Sequence, residues 1–210
     1  MRKHTVVGLW GLLLTIGLLM AAPMTASATS LSFGGIVNSH SQPSNAEDGY
    51  TCDENANIPD HATCTWVSTQ AYHNGGHERA PATGRIGLVR LVSCVPGSFR
   101  LQFAQAVPST RQARIVYSGP VITYLGQGGQ GGCGGADGDV YLVQTFHVSV
   151  PVVKGDYIAI QAKGTGALYC SGGSGTLLFS PVLATAGAYR HAQSGASCNL
   201  IIQLFYSSVS

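Results

Sequence analysis

Charge is scarce in this chain. Asp, Glu, Lys and Arg together make up 10% of its 210 residues, and no Lys or Arg occurs between Lys3 and Arg79. A nucleic-acid partner calls for a clustered basic surface, which the overall composition does not supply. Cysteine is present but never as C-x-x-C, so a zinc ribbon and a thioredoxin-like dithiol both lack their spacing. G-x-S-x-G, the mark of a nucleophile elbow, is missing. After the first twenty or so residues no apolar run is long enough to cross a bilayer, and no stretch carries the period of an amphipathic helix. The lack of crossover helices argues for antiparallel sheets.

The N-terminus is the one long apolar stretch. Arg2, Lys3 and His4 precede the run from Val6 to Met20, and Ala26-Ser27-Ala28 follows as a small-residue cleavage site. This pattern predicts a signal peptide over 1–28; a membrane anchor is disfavoured because the run is short and is followed by Pro23. The expected product is secreted, with cell-surface association open. Without Arg2 and Lys3, the remaining basic residues equal the acidic ones in number. Glu47, Asp48, Asp53, Glu54, Asp60 and Glu78 all precede Arg79, whereas the basic residues follow from there on. An acidic segment, 29–64, is therefore expected to pack on or beside a basic sheet face of a domain spanning 65–210.

What fills that domain is short runs of Val, Ile, Leu, Thr, Tyr and Phe separated by Gly, Pro and Ser. They fall at 65–72, 85–94, 98–107, 112–125 (interrupted by Gly119-Pro120), 140–150, 157–163, 176–180 and 198–207. Eight or nine such strands predict an all-β, antiparallel β-sandwich of jelly-roll-like form, stabilised by disulfides. In 140–150 the residues Val140, Leu142, Phe146, Val148 and Val150 share one face, which is expected to face the core. Lys154-Gly155-Asp156 between two apolar runs predicts a hairpin.

The succession "GLVRLVSCVPGSFRLQF", "GPVITYL", "TFHVSVPVVKGDYIAI" and a terminal "LIIQLFY" resembles exported actinobacterial β-sandwich proteins, mostly of unassigned function. The resemblance covers about residues 85–207 and implies a jelly-roll-like fold and an extracellular address. It implies no catalytic or binding residue, because the shared positions are those of sheet cores and turns.

Six cysteines in an exported chain predict three disulfides, for which 15 pairings exist. In a jelly roll the first and last core strands are antiparallel neighbours, which predicts Cys94–Cys198. Two glycine-rich loops at one end of the sandwich predict Cys133–Cys170, and Cys52–Cys64 then closes a local loop.

Several stretches invite a functional reading. Residues 126–140 contain G-x-G-x-x-G at Gly126, Gly128 and Gly131, but a strand follows where a phosphate cradle needs a helix. Asp53, Asn55, Asn57 and Asp60 are oxygen donors suited to calcium, yet Ile58 and Cys64 stand where an EF-hand has Gly and Glu. A solvated loop is the plainer reading. His73 and His77, four apart beside Glu78, have metalloprotease spacing, but Gly75-Gly76 opposes the helix that spacing requires. No cofactor motif is recognisable. A sandwich that binds carbohydrate needs exposed aromatic faces beside polar groups, for which Trp66, Tyr72 and Tyr50 are the candidates; Trp66 alternates within its strand, which favours a place in the core. The expected function is a secreted, non-enzymatic binding or surface-associated module for a polysaccharide or an extracellular protein. The alternatives are a secreted hydrolase with an unrecognised site and a structural cell-envelope protein.

Overall fold

A computed structural model describes residues 31–41, 50–52, 62–72, 76–93, 95–126, 140–165, 167–170, 175–196 and 198–207. The strands, in chain order, are β1 (Ser32–Gly34), β2 (Tyr50–Thr51), β3 (Cys64–Ser68), β4 (Gly84–Leu91), β5 (Gly97–Val107), β6 (Gln112–Tyr124), β7 (Gln144–Val152), β8 (Tyr157–Ala162), β9 (Gly164–Thr165), β10 (Leu168–Cys170), β11 (Thr176–Phe179), β12 (Arg190–His191), β13 (Ser194–Ala196), β14 (Cys198–Leu200) and β15 (Ile202–Tyr206). Two antiparallel sheets pack together, as expected. One runs β1-β15-β4-β7 and the other β12-β6-β5-β8-β3-β11-β13, with the two-stranded pairs β2-β9 and β10-β14 beside them. There are more strands than the eight or nine expected, because two- and three-residue pairings such as β9 and β12 are too short to show a pattern in sequence.

The layer between the sheets is the main core. Trp66, Phe99, Leu101, Phe103, Ile158, Ile160 and Leu178 come from the larger sheet, and Phe33, Ile86, Val89, Leu91, Val150, Ile202 and Leu204 from the smaller one. The end of β4 lies beside the start of β15, with Leu91 opposite Ile202, which is the neighbour relation anticipated for the first and last long strands. β3 is buried along its whole length and β8 almost so. A strand covered on both faces has no polar side to show, which is why "CTWVS" and "YIAIQA" read as continuous apolar runs.

The second face of β3 and β8 is covered because the larger sheet closes on itself. In the stretch 190–196, Arg190 and His191 pair with Ala113 and Gln112 of β6, and Ser194, Gly195 and Ala196 pair with Leu178, Leu177 and Thr176 of β11. Between them the Ala192 N–H donates to Arg111 O at 2.8 Å and the Gln193 N–H to Leu178 O at 3.0 Å. One piece of chain thus seals the two edges of the sheet into a ring. The ring interior is lined by Val67, Ala104, Ala113, Ile115, Ala159, Leu177 and Phe179, with Leu183 inserted into it. A ring of so few strands is narrow inside, and the three alanines facing inward match that limit.

Three expectations are corrected. Gly155 does occupy a turn, at φ +93, but β7 and β8 on either side belong to different sheets, so 154–156 is a corner and not a hairpin. The reason is visible in its hydrogen bonds. Gly155 N–H donates to Ala80 O and Ala80 N–H to Asp156 O, both at 2.8 Å, occupying groups a hairpin ladder would need. Second, β7 begins at Gln144, and Val140 and Leu142 are 65% and 48% exposed. The chain shifts phase before the strand, and Tyr141 is buried there instead. Third, Gly119-Pro120 does not interrupt β6. The opposite strand slips register between Arg100 and Gln102, which accommodates a proline that has no N–H for the ladder.

The Cys52–Cys64 disulfide is present, with Cα atoms 6.0 Å apart. Cys198 is disulfide-bonded and stands opposite Cys170 in the β10–β14 ladder. Cys94 and Cys133, on which the other two expected pairings depend, lie outside the described residues. So does 127–139, the body of the glycine-rich stretch. Its two flanks are held together: Gln144 Nε2 donates to Leu125 O at 2.7 Å and its Oε1 accepts from Leu125 N–H at 2.8 Å.

Candidate functional site: the open mouth of the ring

The strands of the ring are antiparallel, so the end of β5, the start of β6, the start of β8, the end of β3, the start of β11 and the end of β13 meet at one rim. They surround an open groove of about 970 Å³. Tyr157, Leu177 and Ala106 form its apolar floor, and Thr69, Gln70, Ser109, Glu78, Arg79 and Arg111 its polar wall. The opposite end of the ring is plugged. Leu183 is buried there, its N–H donating to Thr65 Oγ1 at 2.9 Å, and Arg190 holds the plug by donating to the carbonyls of Ser180, Pro181 and Val182.

Two stretches bring charge to the mouth. The first is 77–80, which bridges from Gly34 to Tyr157. Glu78 and Arg79 form an ion pair at 3.1 Å, and the Arg79 guanidinium lies 5.4 Å from the centroid of the Tyr157 ring. Burial pushes the Tyr157 phenol above its ordinary pKa, Arg79 opposes the rise, and Glu78 adds to it. The second is the link between β5 and β6. A 3-10 turn at Pro108–Thr110 delivers Arg111 with φ 53, in the left-handed region.

A smaller groove of about 480 Å³ borders Thr63, Arg100, Gln161 and Lys163. Its Arg100 is committed to Gly119 O at 3.0 Å. On the outer wall of the ring, Tyr189 is 42% exposed, with the Arg114 guanidinium 5.1 Å from its ring centroid. Gln105 Oε1 accepts from Arg114 Nη2 at 2.7 Å and from the Tyr189 hydroxyl.

The residues singled out from sequence fall elsewhere. Trp66 and Tyr72 are each 1% exposed. Trp66 packs in the main core and Tyr72 in a small cluster with Val37, Val92, Tyr141 and Ile201, so neither ring offers a face to solvent. Tyr50 belongs to β2, opposite Thr165. Asp53, Asn55, Asn57 and Asp60 lie outside the described residues, as does His73. Glu78 is on the rim of the mouth, and His77 before it bridges to Gly34. Arg79, Arg111 and Tyr157 were missed, because the Arg79–Tyr157 bridge and the closure of the ring bring them to one rim and no spacing in sequence does; Tyr189 was missed because its partners Arg114 and Gln105 are distant in sequence. Set against protein-family models, curated proteins and solved structures, the chain matches none.

Proposed function

We propose that this is an exported, non-catalytic binding protein that takes a polar ligand of saccharide size at the mouth of the ring. The observation that carries the reading is the groove itself: about 970 Å³, on a closed sheet, with hydroxyl, amide and guanidinium groups around an apolar floor. Binding sites commonly have this size and this mixture of an apolar base with a few placed polar groups. Glu78, the carboxylate on the rim, is engaged by Arg79, so the groove supplies hydrogen bonds and charge and pairs no nucleophile with a base. Export rests on the pattern of residues 1–28 and agrees with the disulfide.

The test is calorimetric titration of the purified protein with a panel of cell-wall and extracellular polysaccharides, with and without calcium, alongside Gln70→Ala. Saturable binding weakened in a variant with an unchanged circular dichroism spectrum supports the reading. Retention of full affinity by mouth variants overturns the placement, and binding to no member of the panel overturns the ligand class.

A further inference from the structure

We infer that the mouth selects saccharides carrying an oxyanion, a carboxylate or a sulfate, and that Arg111 is the group that grips it. This rests on the binding reading above and narrows its ligand.

Arg111 stands apart from the other arginines described. Arg79 is paired with Glu78. Arg85 donates to Ser149, Arg100 to Gly119 O, Arg114 to Gln105 and Arg190 to the plug carbonyls. Arg90 lies 4.8 Å over the Phe205 ring. Each of these guanidiniums is used in holding the fold. Arg111 alone among them has no side-chain hydrogen bond, ion pair or ring contact among the described residues.

Its backbone, in contrast, is firmly held. The Arg111 N–H donates to Pro108 O at 3.1 Å, and its carbonyl accepts from Ala192 N–H at 2.8 Å across the ring seam. Holding a residue with a Cβ in the left-handed region costs free energy, and such conformations persist where the surroundings impose them. The conformation sends the side chain over the opening toward β13. There Arg111 Nη2 lies 3.4 Å from where a Cβ on Gly195 would be, so the glycine leaves the approach to the guanidinium low and open.

The chemistry follows from the fork. A guanidinium presents parallel N–H donors that match the two oxygens of a carboxylate or a sulfate, and charge-assisted bonds of this type are stronger than neutral ones. Glu78 is already neutralised by Arg79, so the positive charge of Arg111 is left uncompensated in the groove. The hydroxyl of Ser109 and the amide of Gln70 on the same wall suit the ring hydroxyls of a sugar.

The experiment titrates the full chain, at fixed ionic strength, with polygalacturonate, dextran sulfate and neutral dextran of matched length. The expected result is binding of one or both polyanions, with the two arms telling carboxylate from sulfate, and weak or no binding of dextran. Arg111→Gln and Arg111→Gly are expected to lower that affinity about ten- to a hundredfold. Arg111→Gly also removes the Cβ from a left-handed position, so its melting temperature is expected to stay level or rise, separating lost binding from lost fold. Arg85→Gln, on the other sheet, is expected to keep the parent affinity. Equal losses in Arg85→Gln and Arg111→Gln mean diffuse attraction of a polyanion and overturn the inference. Dextran binding that is indifferent to Arg111 overturns it while leaving the binding reading intact. Binding of none of the three overturns both.

Discussion

Asp156 shows what burial does to one side chain at a corner of the chain. It is 2% exposed, with Oδ2 accepting from the Val153 N–H at 2.9 Å, and burial raises its pKa above the ordinary carboxylate value while that hydrogen bond opposes the rise. A carboxyl with a higher pKa folded than unfolded holds its proton more tightly in the native state. Its contribution to stability is therefore full below the unfolded pKa and is lost as pH rises through the folded one. Asp156→Asn keeps an acceptor for Val153 and removes the titration. Its melting temperature, measured by scanning fluorimetry, is expected to gain on the parent from about pH 4 upward; a constant difference across pH would show that Asp156 does not titrate in this way. Trp66 is the second case at this scale. Truncating a buried Trp to Ala costs about 3–5 kcal/mol, so Trp66→Ala is expected to lower the denaturation midpoint steeply, and is a probe of the core and not of binding.

At the scale of strands, legibility followed coverage. Apolar content located β3, β4, β5, β6, β8, β11 and β15 within a few residues, because each buries at least one face. It could not tell that β7 and β8 part to different sheets, since the turn between them has hairpin composition and only the Ala80 hydrogen bonds decide the outcome. The sealing stretch "RHAQSGA" was silent for a related reason. It is held by main-chain bonds to two different strands, and its exposed His191 and Gln193 carry no apolar alternation. The mouth is therefore invisible from sequence, although Glu78 on its rim belongs to the stretch whose histidine spacing suggests a different chemistry. The alanines of the ring supply a test of closure. Ala159 is fully buried, opposite Val67 and Gln102. Ala159→Leu inserts methylenes into a narrow interior and is expected to cost about 1–3 kcal/mol by urea denaturation. A neutral outcome would mean that the ring has room to spare.

For the molecule as a whole, the Cys52–Cys64 bridge, with a sequence separation of 12, ties the segment before β3 to the ring. Both residues are fully buried, so the bridge also forms part of the core. Closing a loop of this size restricts the unfolded chain and stabilises by about 3 kcal/mol. The double variant Cys52→Ala, Cys64→Ala is expected to lose about that much in equilibrium denaturation, and a shift near zero would place the benefit elsewhere.

The order in which strands become available has a consequence for folding time. β1 pairs with β15, as Phe33 opposite Leu204 shows, and β3 pairs with β8 and β11. Of the long strands up to Tyr124, only β5 and β6 can pair with each other as they emerge. Everything before them waits for partners made much later, and distant pairings of this kind are slow to form. The seam closes only when 190–196 arrives, and β4 is flanked on both sides only after β15. A chain stopped at Tyr189 would hold most of its apolar residues yet have neither sheet complete, so both sheets wait for the arrival of 190–206.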